Sequence, residues 1–522
     1  MSNLSDYAAA QLQPAIPVKA VLAAMMLVTL LGALEQSIVA VALPAIATQL
    51  SGFALMAWVV SAYLVASTVV TPIYGKLSDT YGRRTMMTCA ITIFILASIG
   101  CALAQSMPQL VLMRVLQGIG GGGLLSVAQA AVSDVVTPRE RGRIQGYFSS
   151  VWIVASMSGP VIGGYLTQYL SWHWIFWINL PVGALAMVMM RRSLRLVPVP
   201  ARHARRAIDY IGALLLAAGL TGLLMAITRI GQGIDPGESR NLALLIGGAL
   251  IMAWFLWHEG RTAEPIIPLA MFRVPTVTIC CTVLALGFFQ LISMSVLLPL
   301  RLQMAGVAPE ISALRLLPLT LSIPIGAFIG GKFMSRTGHY RKIMLGGSLA
   351  TSLMSFLLAS IAPQHNWLMA MAMSAMGLGI GMQFPTGLVA TQNAVLRSQV
   401  GIATALTSFS RLLGGAIGVA VMTAVLIAFL RGALSDFRIG GAQDGMLLAD
   451  MHGGDAMMRM FRAVIDSADD TAGRALRNAA DGAFRHLFTL NAAVSLISPL
   501  LLFCMRELKL RDNSEPLVAV AE

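Results

Sequence analysis

Long apolar runs broken by short polar ones repeat along the chain from Val21 to Met505. They fall approximately at 18–47, 54–74, 85–105, 109–133, 144–169, 174–190, 208–229, 241–258, 275–300, 311–332, 341–362, 366–390, 399–429 and 483–505. An α-helix rising 1.5 Å per residue needs about 20 apolar residues to cross roughly 30 Å of hydrocarbon. The pattern therefore predicts fourteen transmembrane helices, and an all-α polytopic membrane protein. A membrane β-barrel would show shorter, alternating segments instead. Residues 1–17 read as a polar to mixed cytoplasmic tail. They lack the charged start and small-residue cleavage site of a signal peptide, so the first run is expected to stay in the protein.

Composition supports this class. Of 522 residues, 57% are hydrophobic and 11% charged, and the mean hydropathy is +0.77. A soluble chain would carry about 25% charged residues. The net charge of +13 raises the question of nucleic acid, and its distribution answers it. One set of inter-helix segments holds 23 of the 36 Lys and Arg, among them Lys76, Arg83, Arg84, Arg141 and Arg191. That bias puts both termini in the cytoplasm by the positive-inside rule, and no nucleic acid is implied. Cys89, Cys101, Cys280, Cys281 and Cys504 lie in or beside apolar runs without metal or redox spacing, and read as small buried hydrophobes.

Two features organise the chain further. GKLSDTYGRR from Gly75 and GKFMSRTGHYRK from Gly331 both leave an apolar run on the basic side. Two six-helix halves related as parallel repeats would place them so. The expected domains are 1–193, an insert at 194–260 with two further helices, and 261–522. Within the last, 431–481 is long and polar, with Ala456, Met457, Met460, Phe461, Val464 and Ile465 at helical spacing. An external amphipathic hairpin is expected there, as a folded cap, a docking element or a substrate gate.

Charges inside the apolar runs are few. Glu35 is the one acid well inside a run, and such residues usually face a bundle interior or a wet path. Arg114 lies about 10 Å, and Glu35 roughly 13 to 18 Å, below the same face, so the two could meet. Burial disfavours the carboxylate charge and a neighbouring guanidinium favours it, which would make the pair sensitive to protons. A purely structural ion pair is the other reading. Arg411 and Arg315 lack an acid within a run, and would either attract an anionic or polar substrate group or bond helix carbonyls. Gln36, Tyr63, Trp152, Gln290 and Gln383 are polar or amphipathic inside apolar runs, as a pocket's few orienting groups would be. GIGGGG, Gly118–Gly123, contains GxGxxG but lacks the strand a dinucleotide site needs, and reads as a close helix contact. No nucleotide, metal or prosthetic group is implied. His173, His258 and His365 are scattered at run edges, which speaks against an intramembrane enzyme.

Several ordered motifs resemble the fourteen-helix drug:proton antiporter branch of the major facilitator superfamily. LEQSIVAVALP is similar to that branch's first-helix signature, with Glu35 in place of Asp. The loop motif is carried by Gly75, Asp79, Gly82, Arg83 and Arg84, with Thr80 where a basic residue is usual. LVLMRVLQGIGGGG resembles the fourth-helix motif. ASMSGPVIGG resembles the antiporter motif through Gly159, Pro160, Gly163 and Gly164, with Ala155 replacing its leading glycine. In WHWIFWINLPVG, His173 stands where Arg is common. The resemblance implies a major facilitator fold of two six-helix bundles plus two inserted helices. It implies multidrug efflux of amphipathic small molecules by proton antiport across the bacterial inner membrane, with Glu35 as proton carrier and Arg114 as its partner. It also implies a conformational latch of Asp79 and Arg83 with Asp134, and gives the antiporter motif a role between the halves; a topology anchor for the loop and a plain packing kink at Gly159-Pro160 are the other readings. A facilitator or symporter for a polar or anionic molecule is the alternative. A scaffold role toward a periplasmic adaptor protein is compatible with either.

Overall fold

The computed structural model describes residues 18–50, 55–195, 209–231, 234, 237–263, 265–307, 309–396, 399–433, 438–439, 446–447 and 471–510. Fourteen long helices account for most of them. They are α1 Val18–Gln49, α2 Met56–Tyr81, α3 Arg83–Ala102, α4 Met107–Val135, α5 Pro138–Tyr169, α6 Asn179–Ser193 and α7 Tyr210–Gly231. There follow α8 Ser239–Glu259, α9 Pro275–Met304, α10 Leu317–Thr337, α11 Arg341–Ser360, α12 Asn366–Asn393, α13 Val400–Ala433 and α14 Thr471–Ser495, the last prolonged by Ile497–Cys504. Among the described residues, thirteen helices are long and apolar enough to cross a membrane; α5 falls outside that set. Its sequence is diluted by Gly, Ser and Gln.

Local chemistry sets several boundaries. Thr137 and Glu140 close a capping box ahead of α5, with Pro138 at its first turn. α2 and α3 are separated by Gly82 alone, at φ 87° and ψ 149°, a conformation closed to side chains with a Cβ. Its counterpart in the second loop motif, Gly338, ends α10 at φ 73°. Both glycines have positive φ, but Gly82 is extended at ψ 149° and Gly338 left-handed helical at ψ -1°, so the two turns differ in shape.

Helices α1–α6 form one bundle and α9–α14 the other. In the first, α4 packs on α2 and α3 and α1 packs on α5, with buried residues such as Val28, Leu31, Phe94, Leu124 and Phe148. In the second, α12 packs on α10 and α11 and α13 packs on α9. The inserted pair α7 and α8 pack together and rest on α2 and α13, where Leu220 and Leu224 meet Val69 and Phe409.

One expectation changes. The second arm of the hairpin at 431–481 is no separate element, because α14 begins at Thr471 and runs into the last span. Asp481 thereby enters the helical body, where Arg301 holds it. Before α14, Arg438–Ile439 pairs antiparallel with Met446–Leu447. The helix expected over 456–465 lies outside the described residues.

Candidate functional site

A buried polar network occupies the first bundle. α4 carries Arg114 into it, and the glycines that follow explain how α4 comes so near its neighbours. A Cβ at Gly120 would sit 2.6 Å from the Phe94 backbone of α3, and one at Gly122 would sit 2.5 Å from the Ser67 carbonyl of α2. The GIGGGG run is therefore a helix contact and not a nucleotide cradle. Arg114 pairs with Glu35 of α1 through Nη1 and Oε1. It also donates to Gln117 Oε1 at 2.7 Å and to the Val59 carbonyl at 2.8 Å, and lies 4.4 Å from the centroid of the Tyr63 ring. The other Glu35 oxygen, Oε2, accepts from Asn179 Nδ2 of α6 at 2.5 Å. Ser98 of α3 closes the ring, accepting from Gln117 at 2.8 Å and from Asn179 at 3.3 Å. Glu35 and Arg114 are each 1% exposed. Five helices thus converge on one carboxylate and one guanidinium, and both carboxylate oxygens accept a hydrogen bond. Gln36 reaches the Tyr63 hydroxyl at the margin of this network.

A second cluster joins the two bundles on the basic side. Arg83 contacts Asp79 at 2.5 Å, Asp134 at 2.9 Å and Ser78 at 2.6 Å. The free oxygen of Asp79 accepts from the backbone N–H of Ile402 at 2.9 Å, in the first turn of α13. An acid at a helix N-terminus meets unsatisfied N–H groups and the positive end of the helix dipole. Gly75 abuts Gly401 and Ala405 of α13. On the pseudo-equivalent side, Gly142 of α5 abuts Gly331 of α10, so both motif glycines mark crossings between bundles. Arg141 adds a bond to Gln392 of α12 at 3.1 Å.

The antiporter-like motif sits elsewhere. Cβ atoms at Gly159 and Gly163 would collide with Ser37 and Ile38 of α1, within the first bundle, and Gly164 meets nothing within 4 Å. Ser37 lies 2.9 Å from the Ala155 carbonyl, so a polar contact accompanies the crossing. Of Pro160 only its place within α5 is described. His173 stacks on Trp172 with centroids 3.8 Å apart, and burial pushes its imidazole below the usual histidine range.

The remaining candidates separate. Gln290 is 1% exposed and engaged at both ends, donating to the Asn491 carbonyl at 2.8 Å and accepting from Ser355 at 3.0 Å. Trp152 packs half-buried on the apolar cluster of α1 and α5. Arg315 lies just ahead of α10. Gln383 donates to the Gly379 carbonyl at 3.1 Å and precedes Phe384, whose ring pairs with Phe288 at 4.7 Å. Arg411 of α13 lies over those two rings, at 5.2 and 5.8 Å. Among the described residues, no three His, Cys, Asp or Glu side chains gather as a metal site requires.

A family model described as Major Facilitator Superfamily matches residues 25–419. The chain belongs to that superfamily. Its helical body is the multi-pass membrane body of that superfamily. An uncharacterised MFS-type transporter of Mycobacterium tuberculosis is 34% identical over 418 residues, 79% of this chain and 59% of that protein. The chain thus matches about three fifths of that relative's length. Multidrug resistance protein 3 of Bacillus subtilis is 32% identical, across 80% of this chain and 81% of its own. Among solved structures, the human organic anion transporter MFSD10 superposes with a TM-score of 0.60 at 16% identity, covering 94% of this chain and all of that one. The proton:xylose symporter XylE superposes equally well, at 14% identity over 93% and 95% of the two chains. Both structural likenesses are of the superfamily fold.

Against this superfamily body, two functional-looking groups escape a reading of the sequence. Asn179 sits among aromatic residues at the start of α6, and nothing local shows that it turns toward Glu35. Arg301 is 1% exposed and held by Asp481, which lies 180 residues away. Its one sequence signal is a basic residue ending a long apolar run.

Proposed function

We propose that the protein is a proton-coupled antiporter of the fourteen-helix drug:proton branch. It exports amphipathic small molecules across a bacterial cytoplasmic membrane by alternating access, with both termini cytoplasmic. Residues 1–193 and 261–522 act as the two rocking halves, and 194–260 carries the inserted pair. The observation that carries this reading is the enclosed Glu35 carboxylate, gripped by Arg114 on one oxygen and Asn179 on the other. Protonation removes the charge that binds α1 to α4. Arg114 then keeps Gln117, the Val59 carbonyl and the Tyr63 ring as partners, while its charge loses the counter-charge that held α1. Loading from one side and release to the other would couple proton entry to substrate exit. The likeness to multidrug resistance protein 3 of Bacillus subtilis supports a drug-like substrate.

Purified protein in proteoliposomes should move a fluorescent amphiphile when a pH gradient is imposed, and a proton ionophore should stop it. Flux that ignores the ionophore would overturn the coupling and favour a facilitator.

Asp79, Arg83 and Asp134 serve as the latch on the basic side, with Gly75 and Gly82 setting the close crossing and the tight turn. A hydrogen bond to a charged group contributes about 1.5–3 kcal/mol. Asp79→Ala should therefore shift the balance toward opening on that side by about tenfold or more. Spin labels at the exposed positions Tyr81 and Leu396 would read this as a longer distance population. An unchanged distribution would remove Asp79 from the latch.

A further inference from the structure

Four arginines of the helical body invite comparison. Arg83, Arg114 and Arg301 each reach a carboxylate. Arg411 does not. Among the described residues it takes no carboxylate, carbonyl or hydroxyl as hydrogen-bond partner, and its contacts are the rings of Phe288 and Phe384. An arginine at the centre of a membrane helix costs about 2.5–3.5 kcal/mol on insertion scales. Two cation–π contacts return about 0.5–2 kcal/mol each. Those contacts use the flat faces of the guanidinium and leave its in-plane N–H donors unspent.

The surroundings set where those donors can act. Gly414 and Gly418 bring α13 against the Ala285 and Phe289 backbone of α9. The ring pair bridges α9 and α12, so the guanidinium lies among three packed helices and not on an outer face. Arg411 is half-buried there. The acid nearest in kind, Glu35, is already committed to Arg114 and Asn179. The site offers a fixed positive charge and two aromatic walls, and no counter-charge for a cation.

We propose that Arg411, with Phe288 and Phe384, forms the substrate subsite for an organic anion, a carboxylate on a planar aromatic body. The carboxylate takes the in-plane donors of Arg411 in a bidentate pair, and the aromatic body packs against the two phenyl rings. The inference rests on the transporter reading for its substrate path, and is independent of whether protons drive transport.

The test is binding to purified full-length protein in phosphatidylcholine nanodiscs, with no gradient, using 2-naphthoate, neutral 2-naphthamide and cationic 2-naphthylmethylamine. Naphthoate should bind about tenfold or more tighter than the amide, a gap of about 1.4 kcal/mol. Arg411→Gln should erase that preference while leaving amide affinity unchanged, and Arg411→Lys should keep part of it. Phe288→Leu should weaken all three ligands together. Equal binding of the three by the natural protein would overturn the proposal. So would a large fall in Tm for Arg411→Gln, because the lost cation–π contacts are offset by a charge no longer held in the membrane. Anion preference that persists while gradient-driven flux is absent would overturn antiport alone. Gradient-driven flux without anion preference would overturn this subsite alone.

Discussion

Glu35→Gln should cut gradient-driven flux by about two orders of magnitude, since the amide keeps the shape of the side chain and carries no proton. Exchange driven by a substrate gradient should persist, because it needs the conformational cycle and not the proton. The amide oxygen can still accept from Arg114, and Asn179 can still bond to Gln after an amide turn. The guanidinium charge is no longer balanced, and breaking a buried pair this way costs about 3–5 kcal/mol. Tm should therefore be read alongside flux. Glu35→Asp supplies the control: it retains a titrating group and should retain gradient drive. Full gradient-driven flux in Glu35→Gln would leave the Glu35–Arg114 pair a structural one.

Arg301→Ala should be the most destabilising single change in the second bundle. Arg301 donates to Asp481 at 2.8 Å, and to the carbonyls of Leu358 and Ile361 at 3.0 Å each. Those carbonyls end α11, where no intrahelical donor remains for them. Its guanidinium also lies 5.4 Å from the Phe488 ring centroid. Removing it bares two backbone acceptors and leaves Asp481 with Arg485 as its remaining ion-pair partner, for about 2–5 kcal/mol. Scanning fluorimetry of purified protein should show Tm lower by several degrees. Arg301→Met with Asp481→Leu should recover part of the loss, because the space is refilled, the half-partnered acid is gone and Arg485 is exposed. A double variant as unstable as the single one would assign the loss to the carbonyls of α11 instead.

Most of the fold was legible because the membrane makes it so. Each span must satisfy its own backbone and be apolar along about 20 residues, and both demands are written locally. The repeat was legible through Gly75 and Gly331, which need to be glycine for a reason visible only in the structure, the backbone crossings at Gly401 and Gly142. Depth arithmetic brought Glu35 and Arg114 to one level, and resemblance of the loop motif pointed to Asp134. What stayed hidden is contact between residues whose types have ordinary local explanations. Asn179 reads as a helix start and Asp481 as part of a polar external stretch. Gln290 looked like a pocket group, yet Asn491 and Ser355 occupy both its ends. Gly159 and Gly163 face Ser37 and Ile38 of α1, a neighbour that their residue type does not name. A polar residue in an apolar helix signals a partner and does not say which helix supplies it.

Arg411 also has an electrical side. Its charge is uncancelled among the described residues, so the membrane voltage acts on any displacement of α13 along the bilayer normal. One elementary charge crossing a full 100 mV changes energy by about 2.3 kcal/mol. If the halves rock as proposed, Arg411 would travel through a fraction of that field, and a bound anion would neutralise it for the journey. Loaded and empty carriers would then feel the same voltage differently, with the empty return the more electrogenic of the two strokes.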